Sequence, residues 1–110
     1  MYKCLYRPGE IVAGFEWDEV DRDKCRRHGV SVEALESVFR RPMAVFPDPA
    51  HSATEVRSKG IGSLDGGRRV FVVFTLRERD GERYIRPISA RYMHSKEVEY
   101  YENEVARAGE

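Results

Sequence analysis

The sequence has few of the features that mark a cross-linked, metal-bound or membrane-inserted protein. Its two cysteines, Cys4 and Cys25, form no C-x-x-C pair, so neither a disulfide scaffold nor a structural zinc site is expected. Its three histidines lack the spacing of a metal-binding set. No apolar run approaches the roughly 18 residues of a membrane span, and the first residues lack the apolar core of a signal peptide. We therefore expect a cytoplasmic protein that is not associated with a membrane and that needs no metal or cofactor.

What the chain does have is the composition of one folded domain. Its 110 residues are 41% hydrophobic and 35% charged, which is typical of a globular protein with a heavily charged surface. A chain of this length supports one modest core. We expect residues 1–13 to be an N-terminal extension and residues 14–110 to form the single domain.

The net charge of zero conceals an uneven distribution. Residues 57–96 carry 10 basic and 4 acidic side chains, whereas residues 1–56 carry 8 and 10, and residues 97–110 carry 1 and 5. A local basic segment indicates an anionic partner, but overall neutrality argues against strong non-specific binding to duplex nucleic acid. Neither N-terminal helix is basic along one face, which weakens the case for a DNA-binding regulator.

Capping residues predict two helices in the first half of the chain. Asp18 predicts the start of a helix that ends near His28 and Gly29, and Ser31 predicts the start of a second helix that Pro42 stops. His28 is interpreted as a residue that interacts with carbonyl groups and the dipole at a helix C-terminus, with no catalytic role.

From Met43 onward the hydrophobic pattern changes from a helical period to a two-residue period. Strands are predicted at residues 43–46, about 54–61 and 69–76, with a short earlier strand in "IVAGFEW" and a last strand in "YIRPISARY". A C-terminal helix follows, for which Ser95 is the predicted cap. These elements predict an α+β fold with a mostly antiparallel sheet, two N-terminal helices on one face and a C-terminal helix.

The dipeptide Asp80-Gly81 predicts a two-residue hairpin turn, because both positions of that turn need positive φ. Such a turn sets the register of the strands that it joins. Pro87 lacks a backbone donor, so the second strand is either at an edge or bulged there. The predicted opposing pairs are Arg79 with Glu82, Arg77 with Tyr84, Thr75 with Arg86, Val73 with Ile88 and Phe71 with Ala90.

This register predicts one apolar face and one face that is polar at one end. The polar end carries arginines, and basic residues alternate with small ones on the preceding strand. Arginines beside a carboxylate and an imidazole can bind a phosphodiester, stabilise the charge that develops during transfer and supply an acid or base. On RNA this needs no metal, because the 2′-hydroxyl is an internal nucleophile. The candidate catalytic residues are His51, Glu55, Arg57, Arg77 and Arg86, and the candidate RNA-binding residues are Lys59, Thr75, Tyr84, Arg91 and Tyr92.

Ordinary structural roles also fit several of these residues. Arg77 with Tyr84, and Arg79 with Glu82, can be cross-strand pairs on a solvated face. Histidines in loops or at helix starts, such as His51, are more often surface residues than catalysts. The sequence alone leaves these alternatives open.

Three blocks resemble the BrnT family of toxins from bacterial type II toxin–antitoxin systems: "FEWDEVDRDKCRRHGVSVEALESVFRRP", "FPDPAHSATEVR" and "VFVVFTLRERDGERYIRPISARYMHSKEVEYYE". The resemblance covers about residues 14–102. It implies a RelE-like fold, ribonuclease activity that arrests growth, and neutralisation by a BrnA-like antitoxin in a hetero-oligomer. The matching positions are His28, Gly29, Asp48, His51, Glu55, Arg57, Thr75, Arg77, Ile85, Arg86, Ser89, Ala90 and Arg91.

The chain departs from the family pattern at a few positions. Phe74 stands where the family's common strand ending has a His, and the segment with Lys24 and Cys25 lacks an Asn that many members have. The alternative interpretation is therefore an inactive RelE-like module whose basic face binds an antitoxin or another acidic partner.

Overall fold

The computed structural model describes residues 5–6, 12–47 and 57–108. Its strands form one sheet in the order β1-β3-β4-β5-β6-β2. Neighbouring strands are antiparallel except β2 and β6, which are parallel. The predicted α+β architecture, with two N-terminal helices and one C-terminal helix, is confirmed. The elements are β1 (Leu5–Tyr6), β2 (Gly14–Phe15), α1 (Glu19–Arg27), α2 (Val32–Phe39), β3 (Met43–Pro47), β4 (Arg57–Ser63), β5 (Arg69–Arg79), β6 (Glu82–Tyr92) and α3 (Ser95–Ala108), with a 3₁₀ turn at Asp65–Gly67.

Both N-terminal helices begin and end where their capping residues predict. The Asp18 carboxylate accepts hydrogen bonds from backbone N–H groups of the first turn of α1, and the Ser31 hydroxyl accepts one from Ala34. His28 is the C-cap residue that follows α1, with φ −90° and ψ 7°, and Gly29 comes next at φ 83°. Only glycine adopts that conformation without strain, so α1 ends there.

The helices α1 and α2 cover one face of the sheet and form the main core with it. Gly62 of β4 allows α2 to approach closely, because a Cβ there would lie 2.5 Å from Cγ1 of Val38. Apolar alternation along β5 supplies the other wall of the core. The fully buried members include Leu35, Val38, Phe39, Met43, Val70, Val72, Phe74 and Ile85.

The helix α3 lies on the opposite face and covers one end of it. Tyr101 is buried there with Ala44 and Ile61, beside Phe71 and Met93. Its first turn is capped by Glu97, whose carboxylate accepts a hydrogen bond from the backbone N–H of His94 at 2.9 Å. The predicted cap, Ser95, is instead the first helical residue, because the carbonyl of His94 already accepts the first helical bond, from Val98.

The β5–β6 hairpin turns at Asp80 and Gly81 as predicted, with φ 53° and 82°. The three predicted pairs nearest the turn are confirmed. Beyond them a bulge shifts the register by one residue, so Val73 opposes Ser89 rather than Ile88. Phe71 likewise opposes Arg91 rather than Ala90. The bulge follows Pro87, which cannot donate to the ladder, and it places Ser89 and Arg91 on the face that carries the arginines.

Two residues of the predicted N-terminal extension pair with β3: Leu5 lies opposite Ala44 and Tyr6 opposite Met43. The remainder of residues 1–11 lies outside the described part of the chain, so the domain boundary stays a prediction. Within that described part, no helix is long and apolar enough to cross a membrane.

Candidate nucleic-acid interface

The face of the sheet opposite α1 and α2 carries basic side chains in register across three strands. Arg57 of β4 lies opposite Thr75 of β5, which lies opposite Arg86 of β6. Neighbouring strands are about 4.8 Å apart, so the two arginines of this row flank Thr75 from the strands on either side of it. We call the following set the basic face: Arg57, Lys59, Thr75, Arg77, Tyr84 and Arg86.

A carboxylate from the short strand region before α1 lies among these arginines. Glu16 accepts hydrogen bonds from Nε and Nη2 of Arg79 at 2.6 and 3.0 Å, and it lies 3.9 Å from Arg77. The Arg79 hydrogen bond, with the charges of Arg79, Arg77 and Arg86, lowers the pKa of Glu16 below its ordinary value. Glu16 thus stays ionised and orients the guanidinium groups at this end of the basic face.

Arg86 is held in the same way by the first turn of α1. Its Nη2 lies 3.5 Å from Oδ2 of Asp18 and 3.9 Å from Oδ2 of Asp21. The Arg86 side chain is 22% exposed, so it ties α1 to β6 while one side remains accessible. The sequence did not indicate these pairs, because Arg86 and Asp18 are 68 residues apart and no local pattern connects them.

The structure places several predicted RNA-binding residues together and separates others. Thr75 is only 3% exposed and lies beneath the flanking arginines. Tyr84 is half-buried and its ring lies against Gly14. Tyr92 opposes Val70 on the helix-covered face, where the guanidinium of Arg68 lies 3.6 Å from its ring centroid. The predicted catalytic residues His51 and Glu55, and the neighbouring Asp48, lie outside the described residues.

Arg91 lies on the same face as the arginine row but is bound to α3. Its two Nη atoms donate to the two carboxylate oxygens of Glu97, each at 2.8 Å. This bond, together with the backbone N–H of His94, lowers the pKa of Glu97 to about 2. Two of the five guanidinium N–H groups are used in the pair, so Arg91 keeps further donors.

Phe74 has no part in the basic face. Its side chain is 1% exposed and meets Phe39 edge to face, with ring centroids 5.0 Å apart. A residue at this position points into the core beneath α2. The difference from the family pattern at Phe74 therefore changes core packing and leaves the arginine row unchanged.

A small cavity of about 100 Å³ adjoins the basic face at the edge covered by α1. The exposed His28 lines it from the end of α1, and Ser89 and Arg91 line it from β6. The segments "HGVS" and "ISAR", which both lie in the blocks that carry the resemblance, could have indicated this cavity. The predicted register, however, placed Ser89 on the opposite face of the sheet. We call this cavity the His28 pocket; its lining residues are His28, Phe71, Ser89, Ala90 and Arg91. Among the described residues, no cluster of three or more His, Cys, Asp or Glu could hold a metal ion.

Comparison with known protein families identifies the family of this chain. No curated protein matches the chain. A family model described as "Ribonuclease toxin, BrnT, of type II toxin-antitoxin system" matches residues 17–97, which include both N-terminal helices and all strands from β3 to β6. The chain therefore belongs to the BrnT family of ribonuclease toxins of type II toxin–antitoxin systems.

Proposed function

We propose that this toxin is a cytoplasmic endoribonuclease that cuts single-stranded RNA, such as mRNA, by metal-independent transesterification and so arrests growth. A BrnA-like antitoxin neutralises it in a hetero-oligomer. The observation that carries the proposal is the row of Arg57, Thr75 and Arg86 across three strands, with Arg77 two residues from Thr75 along β5. Guanidinium groups on a rigid sheet suit a phosphodiester because they donate paired N–H groups in a fixed geometry.

The proposed reaction uses the substrate's own nucleophile. The 2′-oxygen attacks phosphorus and loses its proton to a base, the bond to the 5′-oxygen breaks, and that oxygen takes up a proton. The products are a 2′,3′-cyclic phosphate and a 5′-hydroxyl. Arg57, Arg77 and Arg86 stabilise the negative charge that grows on the phosphoryl oxygens. His51 or Glu55 acts as an acid or base.

The remaining contacts follow from exposure and position. Lys59 and Arg91 contact neighbouring phosphates, and Tyr84 supports a splayed base of single-stranded RNA. Thr75, which is almost fully covered, supports the arginines from beneath. Tyr92 lies on the other face with Arg68 against its ring, and we leave it out of the proposed RNA surface.

The first experiment compares growth arrest by the parent chain with that by Arg77→Gln, Arg86→Gln. Glutamine keeps a polar side chain next to Asp18 and Glu16 but removes the charge. We expect the double variant to fold and to be harmless. The matched control is Arg83→Gln, which removes one charge from the other face of β6, where Arg83 opposes Glu78. Undiminished arrest by the folded double variant would remove both arginines from the mechanism.

The second experiment incubates purified protein with mixed single-stranded RNA in EDTA, with and without ribosomes, and identifies the fragment ends. Cleavage that leaves cyclic or 3′-phosphate ends supports the proposed reaction. Cleavage that EDTA abolishes contradicts metal independence. Cleavage only with ribosomes narrows the substrate to translated mRNA.

A second candidate function is a catalytically inactive module that binds an acidic antitoxin segment. The ion pairs that arginines of the basic face form with Glu16, Asp18 and Asp21 favour this candidate. They show that these arginines can bind carboxylate groups. Two results together would favour this candidate. The parent chain would be harmless when expressed, and it would bind the antitoxin tightly, with weaker binding by the Arg77→Gln, Arg86→Gln variant.

A further inference from the structure

The His28 pocket offers a group that the proposed reaction still lacks. Transesterification needs one group to take the proton of the 2′-hydroxyl and another to protonate the leaving 5′-oxygen. The candidates His51 and Glu55 both directly precede β4 in sequence. His28 follows α1 and lines the cavity with Ser89 and Arg91 of β6, so it lies on the β6 side of the arginine row.

We propose that His28 is the general acid of the reaction and that the His28 pocket receives the leaving-group side of the phosphodiester. This inference rests on the proposed ribonuclease function, and it replaces the interpretation of His28 as a helix-end residue with no catalytic role. The His28 imidazolium donates its proton to the 5′-oxygen as the bond from phosphorus to that oxygen breaks. The proton of the 2′-hydroxyl passes to the base, for which His51 and Glu55 are the candidates, and the two groups later exchange protons with water. Neither step needs a metal or a redox partner.

Three features of the pocket support this role. Ser89 opposes Val73, which opposes Lys59, so this row lies next to the row of Arg57, Thr75 and Arg86. The Ser89 hydroxyl and the remaining donors of Arg91 suit a phosphoryl oxygen. The cavity of about 100 Å³ holds several water molecules, which is room for a phosphate group and its ester oxygen.

The position of His28 is fixed by the fold while its ring stays exposed. Gly29 ends α1 at φ 83°, and the backbone N–H of His28 is bonded to the carbonyl of Cys25. Cys25 is buried against the sheet, so the last turn of α1 cannot move away from β6 without opening the core. A fixed backbone with an exposed imidazole is what a general acid requires.

The experiment separates acid catalysis from positioning by changing the leaving group. A short oligonucleotide is built around the linkage that the parent chain cuts, in two forms: natural, and with sulfur in place of the bridging 5′-oxygen. A thiolate leaves without protonation, so the sulfur substrate does not need the acid. We expect His28→Gln to cleave the natural substrate about a hundredfold or more slowly than the parent does. On the sulfur substrate, we expect its cleavage rate to lie within about threefold of the parent's rate.

The matched control is His94→Gln, because His94 is also exposed and lies at the start of α3, where its backbone N–H donates to Glu97. We expect that variant to equal the parent on both substrates. Equal loss on both substrates by His28→Gln would assign His28 to positioning or folding, and no loss on either would remove it from the site. Either result overturns the assignment of His28 as the general acid and leaves the ribonuclease proposal in place. A parent chain that cuts neither free nor ribosome-bound RNA overturns the ribonuclease proposal itself.

The pH profile gives a second readout. A general acid acts only in its protonated form, so deprotonation of the acid makes the rate on the natural substrate fall as pH rises. His28→Gln lacks this fall. Arg91 of β6 is the charged residue lining the pocket, Glu97 of α3 is bound to Arg91, and Arg26 and Arg27 precede His28 on α1. A fall retained in the variant would contradict the assignment.

Discussion

At the scale of single residues, the carboxylates near the basic face determine how its guanidinium groups are oriented and how many of their N–H donors a phosphate can reach. Glu16 bonds to Arg79 at 2.6 Å and lies 3.9 Å from Arg77. It orients these guanidinium groups, but it also competes with a phosphate for their N–H donors. The same residue therefore organises the surface and lowers its positive potential.

We expect Glu16→Gln to strengthen RNA binding, because it removes the competing charge. An exposed ion pair is worth about 0.2–1 kcal/mol, so the gain in affinity is at most about fivefold at low salt. The measurement is fluorescence anisotropy with 2′-O-methyl RNA, which cannot react. Glu78→Gln, on the opposite face of β5, removes the same charge elsewhere. If both variants bind equally well, net charge rather than the Glu16 contact explains the gain.

The sequence predicted local structure better than it predicted which distant residues contact one another. Asp18, Ser31 and the Asp80-Gly81 turn act on neighbours a few positions away, so their helices and hairpin were predicted correctly. The bulge after Pro87 was foreseen as one option, but its direction was not. The Glu16–Arg79 pair joins residues 63 positions apart, and it depends on the parallel pairing of β2 with β6, which no local pattern shows.

At the scale of secondary-structure elements, the attachment of α3 depends on the ion pair between Glu97 and Arg91. Folding lowers the pKa of Glu97 from its ordinary value to about 2. Its contribution to stability is therefore present above about pH 5 and disappears as pH falls towards 2. The side chain is 36% exposed, so we expect less than about 1 kcal/mol.

We expect Glu97→Gln to be less stable than the parent at pH 7, with a difference that shrinks from about pH 5 downward as pH falls through about 2. Glutamine at this position can still cap His94, so the comparison isolates the charge. Urea unfolding across pH measures the difference, and Glu99→Gln, at an exposed position of the same helix, is the control. A stability gap that does not shrink as pH falls from about 5 to about 2 would show that packing rather than charge is responsible.

The packing of α2 on β4 depends on the absence of a side chain at Gly62. We expect Gly62→Ala to destabilise the protein by about 1–3 kcal/mol, because the new Cβ would lie 2.5 Å from Cγ1 of Val38. Gly60→Ala, with nearest contacts of 3.2 to 3.4 Å, should cost less. Adding Val38→Ala to Gly62→Ala should cost less than the sum of the two single changes. Additive costs in denaturant unfolding would contradict a direct clash.

At the scale of the whole molecule, a neutral chain presents one basic surface because its charges are sorted by position. The positive segment 57–96 supplies the central strands, while the acidic C-terminal segment forms much of α3. Glu97 and Glu102 of α3 approach Arg91 and Arg69, so they offset charge at one end of the sheet. The arginine row at the other end then provides the attraction for a polyanion.

RNA binding should consequently depend on salt through a few residues rather than through net charge. For single strands the slope of log K against log salt concentration changes by about 0.7 for each phosphate contact. We expect Arg57→Gln, Arg86→Gln to reduce that slope by about 1.4, measured by titrating 2′-O-methyl RNA at several salt concentrations. Arg83→Gln should leave the slope unchanged, because Arg83 lies on the opposite face of β6. Equal slopes for all three proteins would place the phosphate contacts outside the basic face.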